Sequence, residues 1–249
     1  MEEIANIMDR SNLVEIKRGQ TGTGLLIEND GYISMDEGEN REFLNNYRKI
    51  NEVAGEPGEW HCPFPFVVSA VFQKFGIENA NGRIYPEGVL KREVEKYQKL
   101  IDERSAIGEL NHPSESVIDL ERVAINILEL HWVGHTLVGK MEILISEAFR
   151  KYGMITCCAD HAAHLLLSGI KIGVSSRGLG TVTQRMGVLY VADDYEIVCW
   201  DVVSSPSTPG AYIAFESEKL QQYVENDSSK SNKNPLLEKL DRFSDWLND

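Results

Sequence analysis

The sequence predicts an α+β fold in which β-strands form the core and helices flank them. Residues 66–73 are rich in the β-branched and aromatic side chains that are typical of a buried strand. Two further strand-like segments, 123–133 and 137–145, are joined at Gly134 and suggest a hairpin. Residues 87–103 instead carry apolar side chains at helical spacing, so a helix is expected between the first strand and the hairpin.

The second half of the chain continues this alternation. Residues 146–168 are expected to be mostly helical, with a break near Gly153, since glycine is the residue that most often ends a helix. Three more strands are expected at 170–176, 188–191 and 195–203. The core is therefore predicted to be mainly β-sheet.

The two ends of the chain differ in composition from this core. Residues 1–58 are polar and turn-rich apart from a short strand at 25–27 and a helix at 41–50, so we interpret them as a loosely packed N-terminal extension. The core is expected to span 59–216. A flexible polar linker and a C-terminal amphipathic helix are expected over 217–249.

Composition excludes several classes of partner. The 249 residues carry a formal net charge of -14 at pH 7, which disfavours a surface that neutralises nucleic-acid phosphates. No apolar run approaches the roughly 20 residues that span a bilayer. The acidic N-terminus lacks the pattern of a secretory signal, and the four cysteines are expected to be reduced. We therefore expect a cytoplasmic protein that binds neither nucleic acid nor membrane.

Ser175 is the candidate nucleophile. An apolar strand is expected to end at this serine, and Gly173 and Gly178 would leave space for a ligand beside it. Backbone N–H groups that follow the serine could form an oxyanion hole. Ser176 is the competing candidate, but adjacent residues of a strand point to opposite faces, so only one of the two serines can face a catalytic base.

His112 is the candidate general base among six histidines. The following Pro113 disfavours a helical conformation at His112 and holds it in an extended segment. An imidazole is the side chain best suited to accept a serine proton near neutral pH. A surface or capping histidine is the alternative interpretation.

Asp201 is the candidate for the residue that orients the base. It is a carboxylate in an otherwise apolar strand, where burial is costly without a charged or hydrogen-bonding partner. Asp194 is a second candidate, although Asp193 and Asp194 together are typical of a solvated turn. A salt bridge would explain Asp201 without catalysis.

A metal site is the less favoured alternative. Cys158, His161 and His164 could lie on one helical face, and His131 and His135 are four residues apart. The latter pair lacks the glutamate that zinc peptidases place after the first histidine. We predict neither a metal nor another cofactor.

Four motifs together give the sequence a family resemblance. In chain order they are NGRIYP at 81–86, GELNHP at 108–113, GVSSRGLG at 173–180, and DVV at 201–203 leading into PS at 206–207. These motifs and their order resemble the prohead proteases of tailed bacteriophages, in the branch typical of large myoviruses. The resemblance covers about residues 65–212.

The resemblance implies a fold similar to the herpesvirus assemblins, with a mainly antiparallel, β-barrel-like core flanked by helices. It also implies that His112 is the base, Ser175 the nucleophile and Asp201 the third catalytic residue. Ser176, Arg177 and Gly178 would then lie beside the nucleophile and contribute to the oxyanion environment, through their backbone amides.

The activity implied by the resemblance is that of a serine endopeptidase inside the immature phage capsid, in the host cytoplasm. Its substrates would be scaffold or core proteins, the major capsid protein and the protease itself, cut after glutamate with an aliphatic residue slightly upstream. Residues 26–28 and 213–216 are candidate self-cleavage sites. A homo-oligomer would be compatible with this setting, and a catalytically silent scaffold-binding protein is the alternative function.

Overall fold

A computed structural model describes residues 14–28, 60 and 62–214 of the chain. These residues form an α+β fold dominated by strands, as the sequence predicts. The elements are β1 (Gly22–Ile27), β2 (Val67–Lys74), β3 (Arg83–Ile84), α1 (Glu87–Asp102), β4 (Ile107–Glu109), a 3-10 turn (Leu120–Arg122), β5 (Val123–Val133), β6 (Thr136–Ile143), α2 (Glu147–Tyr152), α3 (Cys158–Leu167), β7 (Gly173–Arg185), β8 (Val188–Val191), β9 (Glu196–Val203) and β10 (Ile213–Ala214).

The strands form two five-stranded sheets. The first has the order β10-β2-β6-β5-β4 and is antiparallel throughout. The second is built around β7, which pairs with β1 along one edge and with β9 and then β8 along the other. The short β3 adds to β8 in parallel. Strand β7 is therefore paired on at least one edge along its whole length, and on both edges at residues 177–179 and 182.

Two isolated bridges connect the sheets. Leu110 pairs with Val202 of β9, and Gly173 pairs with Tyr212 just before β10. Contacts of this kind join the sheet edges at single residues, so the described strands do not form a closed barrel. The expected barrel-like core is therefore found only in a looser form, as two sheets that meet at their edges.

Trp200 of β9 lies at the centre of the hydrophobic core and is fully buried. Its ring makes T-shaped contacts with Phe72 of β2 at a centroid distance of 5.7 Å and with Tyr97 of α1 at 4.9 Å. Aromatic pairs in this geometry add stability beyond their buried area. Strand β9 is thereby fixed between one sheet and a helix.

The helix predicted at 87–103, and the broken helix predicted at 146–168, are confirmed. The side chain of Ser146 caps α2 by accepting a hydrogen bond from Phe149 N at 3.0 Å. Gly153 ends that helix in the left-handed conformation, with a φ of 67°. No helix in the described part of the chain is long and apolar enough to cross a membrane.

Other expectations differ from the structure. Strand β7 continues to Arg185, so Ser175 and Ser176 lie near its beginning and not at its end. The strand predicted at 25–27 is present, but it is an integral strand paired residue by residue with β7 and not a loosely packed segment. The helices predicted at 41–50 and in the C-terminal tail lie outside the described residues.

Candidate active site

The chain before His112 is held against β9 by close backbone contacts. A Cβ atom at Gly108 would lie only 1.9 Å from the carbonyl oxygen of Trp200, so only glycine lets β4 approach this strand. Asn111 donates its N–H to Val202 O at 2.8 Å and adopts a φ of 65°. Asparagine tolerates this left-handed conformation better than most residues. The resulting turn places the next residue, His112, over β9.

His112 and Asp201 form a direct, buried contact. The Nδ1 atom of His112 lies 2.7 Å from Oδ2 of Asp201, and their side chains are 1% and 0% exposed. The other carboxylate oxygen, Oδ1, accepts the backbone N–H of Glu109 at 2.8 Å. With Nδ1–H donating to the carboxylate, Nε2 is the acceptor nitrogen. That nitrogen is buried and has no hydrogen-bond partner among the described residues.

Asp201 is held in its ionised form by its surroundings. Burial would raise the pKa of its carboxyl group, but the hydrogen bond and charge of His112, the Arg177 guanidinium and the Glu109 amide lower the pKa below its ordinary value. An ionised carboxylate in this position can fix the tautomer of the imidazole and stabilise its protonated form.

The two serines of β7 face opposite sides of the sheet. Ser175 stands opposite Asp201 in the pairing of β7 with β9, whereas Ser176 stands opposite Trp200. Directly opposed residues in antiparallel strands share a face, so Ser175 lies on the side of Asp201 and Ser176 lies on the side of the aromatic core. Both serines are buried.

The hydroxyl of Ser175 contacts the end of strand β1. Its Oγ donates a hydrogen bond to the carbonyl oxygen of Glu28, the residue that follows β1. Ser175 and the unpaired Nε2 of His112 are therefore not hydrogen-bonded to each other in this arrangement. Such bonds are often absent before a substrate is bound in its reactive geometry.

The side chain of Glu28 is enclosed in a polar pocket, which we call the glutamate pocket. The carboxylate is almost completely buried and accepts hydrogen bonds from five side chains of the described residues. The pocket consists of Asn79 (2.5 Å), Asn81 (2.7 Å), Arg83 (2.8 Å), Tyr85 (2.5 Å) and Ser207 (3.0 Å).

These contacts favour the charged form of the carboxylate. Burial alone would raise the pKa of Glu28, but the charge of Arg83 and the hydrogen bonds from Tyr85, Asn81 and Arg83 lower it below its ordinary value. A buried carboxylate with this many donors is matched in charge, length and hydrogen-bonding capacity by its pocket.

Strand β1 also places an aliphatic side chain two residues before Glu28. Leu26 lies on the same face of the strand as Glu28, because side chains alternate along a strand. It is fully buried in an apolar cluster that includes Leu90 and Val182. Ile27 points to the other face, where it clusters with Leu179.

The residues that follow the serines do not have the surroundings expected from the sequence. The side chain of Arg177 is fully buried and binds Asp201 and Glu109. Gly178 leaves no space for a ligand, because a Cβ atom there would lie 2.5 Å from the ring of Tyr195. Gly173 is similarly filled, with its Cβ position 2.3 Å from Ala211 O. These glycines serve close packing of β7.

The remaining candidates lie apart from this cluster. Asp194 is exposed and accepts hydrogen bonds from the N–H and hydroxyl of Thr181 at 3.0 and 2.5 Å, as expected for a turn residue. His161 and His164 are exposed on α3. Among the described residues there is no group of three or more side chains placed to hold a metal ion.

Sequence reasoning did not identify the glutamate pocket. Three of its residues, Asn81, Arg83 and Tyr85, belong to the NGRIYP motif, which carries part of the family resemblance but by itself predicts no role. Arg83 and Tyr85 alternate along the extended segment at β3, which is a signal for a shared function, whereas Asn79 and Asn81 belong to the turn before it, where Gly82 has a φ of 75°. Their common partner, Glu28, lies 51 or more residues away in the chain and was not predictable from spacing.

Comparison with known proteins agrees with the fold and the motifs. A prohead core protein protease of Enterobacteria phage T4 is 28% identical over 204 residues, which cover 75% of this chain and 92% of that protein. The solved structure of the bacteriophage T4 capsid assembly protease has a TM-score of 0.54 and 24% identity, and it covers 73% of this chain and 98% of that one. The family described as prohead core protein serine protease matches residues 25–220. The chain therefore belongs to the prohead core serine proteases, which are peptide-bond hydrolases.

Proposed function

We propose that this protease uses Ser175 as nucleophile, His112 as general base and Asp201 as the residue that orients the base, and that it cleaves after glutamate. The observation that carries the proposal is the position of Glu28. Its carbonyl oxygen contacts Ser175 Oγ while its carboxylate fills the glutamate pocket. This is the placement expected of a residue on the acyl side of a scissile bond.

The proposed reaction follows from these positions. Ser175 Oγ attacks the carbonyl carbon of the glutamate, and His112 Nε2 takes the hydroxyl proton. The tetrahedral intermediate collapses when the imidazolium gives that proton to the leaving amine, so the peptide bond breaks and an acyl-serine remains. Water then attacks the ester while His112 again acts as the base. The ester bond breaks, which releases the glutamate carboxyl group and restores the free serine. Asp201 stabilises the imidazolium in both steps.

The backbone N–H of Ser176 is the proposed oxyanion donor. The carbonyl of Ser176 accepts the N–H of Glu28 at 3.3 Å, so this edge of β7 faces the bound segment. In an antiparallel strand the N–H and C=O of one residue point to the same side, which directs the Ser176 N–H toward the Glu28 carbonyl. The amide of Arg177 points to the opposite edge, toward β9.

Specificity is proposed to come from two neighbouring pockets. The glutamate pocket would bind the residue before the cleaved bond, and the apolar cluster around Leu26 would bind an aliphatic side chain two residues earlier. The chain itself supplies this pattern at residues 26–28, so the bond between Glu28 and Asn29 is a proposed self-cleavage site. The second candidate site, 213–216, extends beyond the described residues.

The proposed setting is the interior of the phage prohead, in the host cytoplasm. The T4 relative is named a prohead core protein protease and the solved structure a capsid assembly protease. We propose that core and capsid proteins are the substrates of this chain as well. We also propose that its core is distantly similar in fold to the herpesvirus assemblins and that it assembles as a homo-oligomer. The proposed division remains an extension over 1–58, a protease core over 59–216 and a linker with a helix over 217–249, with β1 of the extension docked on the core.

The function is tested by the termini of the products that the full-length chain forms. The purified protein is incubated at high concentration, and its products are identified by mass spectrometry. A product that begins at Asn29, together with a fragment that ends at Glu28, is expected. Cleavage after residues other than glutamate would contradict the proposed specificity, and a chain that stays intact would favour a silent scaffold-binding protein.

A further inference from the structure

The Arg177 guanidinium lies beneath the candidate catalytic pair of His112 and Asp201. Its Nε donates to Asp201 Oδ2 at 3.0 Å, the same oxygen that contacts His112. Its Nη2 donates to Glu109 Oε1 at 2.8 Å, and its Nη1 donates to the carbonyl oxygen of Glu115 at 2.7 Å. One planar group therefore contacts the orienting carboxylate, the strand before His112 and the loop after it.

Strand geometry explains how Arg177 reaches this place. It follows Ser175 by two residues, so both side chains lie on the face of β7 that carries the candidate site. Its partner across the strands is Cys199, whose Sγ lies 3.2 Å from Arg177 Nη2 and 3.2 Å from Asp201 Oδ1. Burial and the charge of Asp201 raise the pKa of Cys199 well above its ordinary value, so it is a neutral thiol.

The buried charges around the site are balanced. Asp201 and Glu109 are carboxylates with completely buried side chains. Arg177 contacts both, and Arg122, which is 39% exposed, makes a second ion pair with Glu109 at 3.2 Å. Two buried carboxylates this close would each destabilise the other without a cation between them. A cation is thus required at the position of Arg177 to neutralise the two carboxylates, but a lysine could supply the same charge.

We propose that Arg177 is a positioning residue of the protease: its fork of N–H groups fixes the Asp201 carboxylate and ties the loop that carries His112 to the strand that carries Ser175. The inference rests on the proposed roles of these three residues. Arginine, unlike lysine, presents several donors in one rigid plane, so it can hold two carboxylates and a carbonyl at set angles. A group that only balanced charge would not need this geometry.

The first test needs no catalysis. In the Ser175→Ala chain, the Nδ1 proton of His112 that bonds to Asp201 is observed by NMR as a far-downfield signal, with Arg177 intact and with Arg177→Lys. Loss or broadening of the signal in the folded lysine variant is expected, because a point charge cannot fix the carboxylate. An unchanged signal would overturn the proposal.

The second test measures the first-order rate of self-cleavage after Glu28 in the otherwise unaltered chain. Arg177→Lys is expected to slow it about 100-fold, the scale of a misplaced catalytic group. The matched control is Arg122→Lys, which disturbs the same Glu109 but does not touch Asp201, and its rate is expected to stay within about fivefold. Equal rates for the two variants would contradict the proposal.

A third variant covers the case in which Arg177→Lys does not fold. Arg177→Met combined with Glu109→Gln removes one charge of each sign, so the net charge of the core is unchanged. The same loss of the His112 signal is expected, and an intact signal would again overturn the proposal. If the parent chain does not cleave itself, the proposed function fails, but the NMR comparison still decides the role of Arg177.

Discussion

Glu28 shows how a single side chain would define the specificity that we propose for this protease. Its carboxylate is bound by five donors, and Arg83 among them is itself buried, with 1% of its side chain exposed. A neutral or shorter side chain in this pocket would leave a buried guanidinium without its partner. Breaking a buried ion pair from one side costs about 3–5 kcal/mol. The proposed selectivity for glutamate would follow from that cost.

The substitution Glu28→Gln is therefore expected to slow self-cleavage at this bond by about 100-fold or more. Glutamine keeps the size and shape of glutamate but removes the charge that Arg83 requires. Ile27→Val is the matched control, because its side chain points to the opposite face of β1, and it should leave the rate nearly unchanged. Time-resolved mass spectrometry measures both rates. If the Glu28→Gln chain is cleaved at this bond as fast as the parent chain, the pocket is excluded as the source of specificity.

Strand β1 determines what occupies the candidate active site. It pairs with β7 from Gly22 opposite Val182 to Ile27 opposite Arg177, so the register places Glu28 opposite Ser176, where its carbonyl oxygen contacts the Ser175 hydroxyl. Peptides that add a strand to a sheet edge bind in this way, with main-chain bonds for affinity and alternate side chains for specificity. The N-terminal strand thus has the position that we propose for a bound substrate.

Docking of β1 is expected to depend on pH through Glu28. Because its folded pKa is lowered from an ordinary value of 4.5, the stabilisation by its carboxylate is complete above that value and is lost as the pH falls through the lower folded value. The free energy of unfolding of the Ser175→Ala chain is compared with that of the same chain carrying Glu28→Gln. The difference between them should be constant near neutral pH and shrink in acid, and a difference that grows in acid would contradict this account.

At the scale of the whole molecule, the candidate site forms where the two sheets meet. Ser175 and Asp201 come from neighbouring strands of one sheet, and His112 comes from the segment that leaves β4 of the other. Gly108 permits the close approach of β4 and β9, and Trp200 fixes β9 from the opposite side. The contact between His112 and Asp201 therefore depends on the packing of the sheets, and not on any one loop.

The sequence was sufficient to predict the strands and helices with strong periodicity and the two residues, His112 and Asp201, that the structure joins by a 2.7 Å contact. A buried aspartate in an apolar strand is a signal that a single sequence can carry. It could not predict β3, since two residues show no period. It could not predict the contacts of Arg177 either, because the partners of this side chain are brought together only by the meeting of β4, β7 and β9.

The most direct test of the whole account is a matched pair of serine substitutions in the full-length chain. Ser175→Ala is predicted to abolish cleavage between Glu28 and Asn29, whereas Ser176→Ala, on the core face of the same strand, is predicted to retain it, with both proteins shown to be folded by circular dichroism. Intact mass after incubation measures the outcome. Cleavage that persists in Ser175→Ala and disappears in Ser176→Ala would contradict the assignment of the nucleophile.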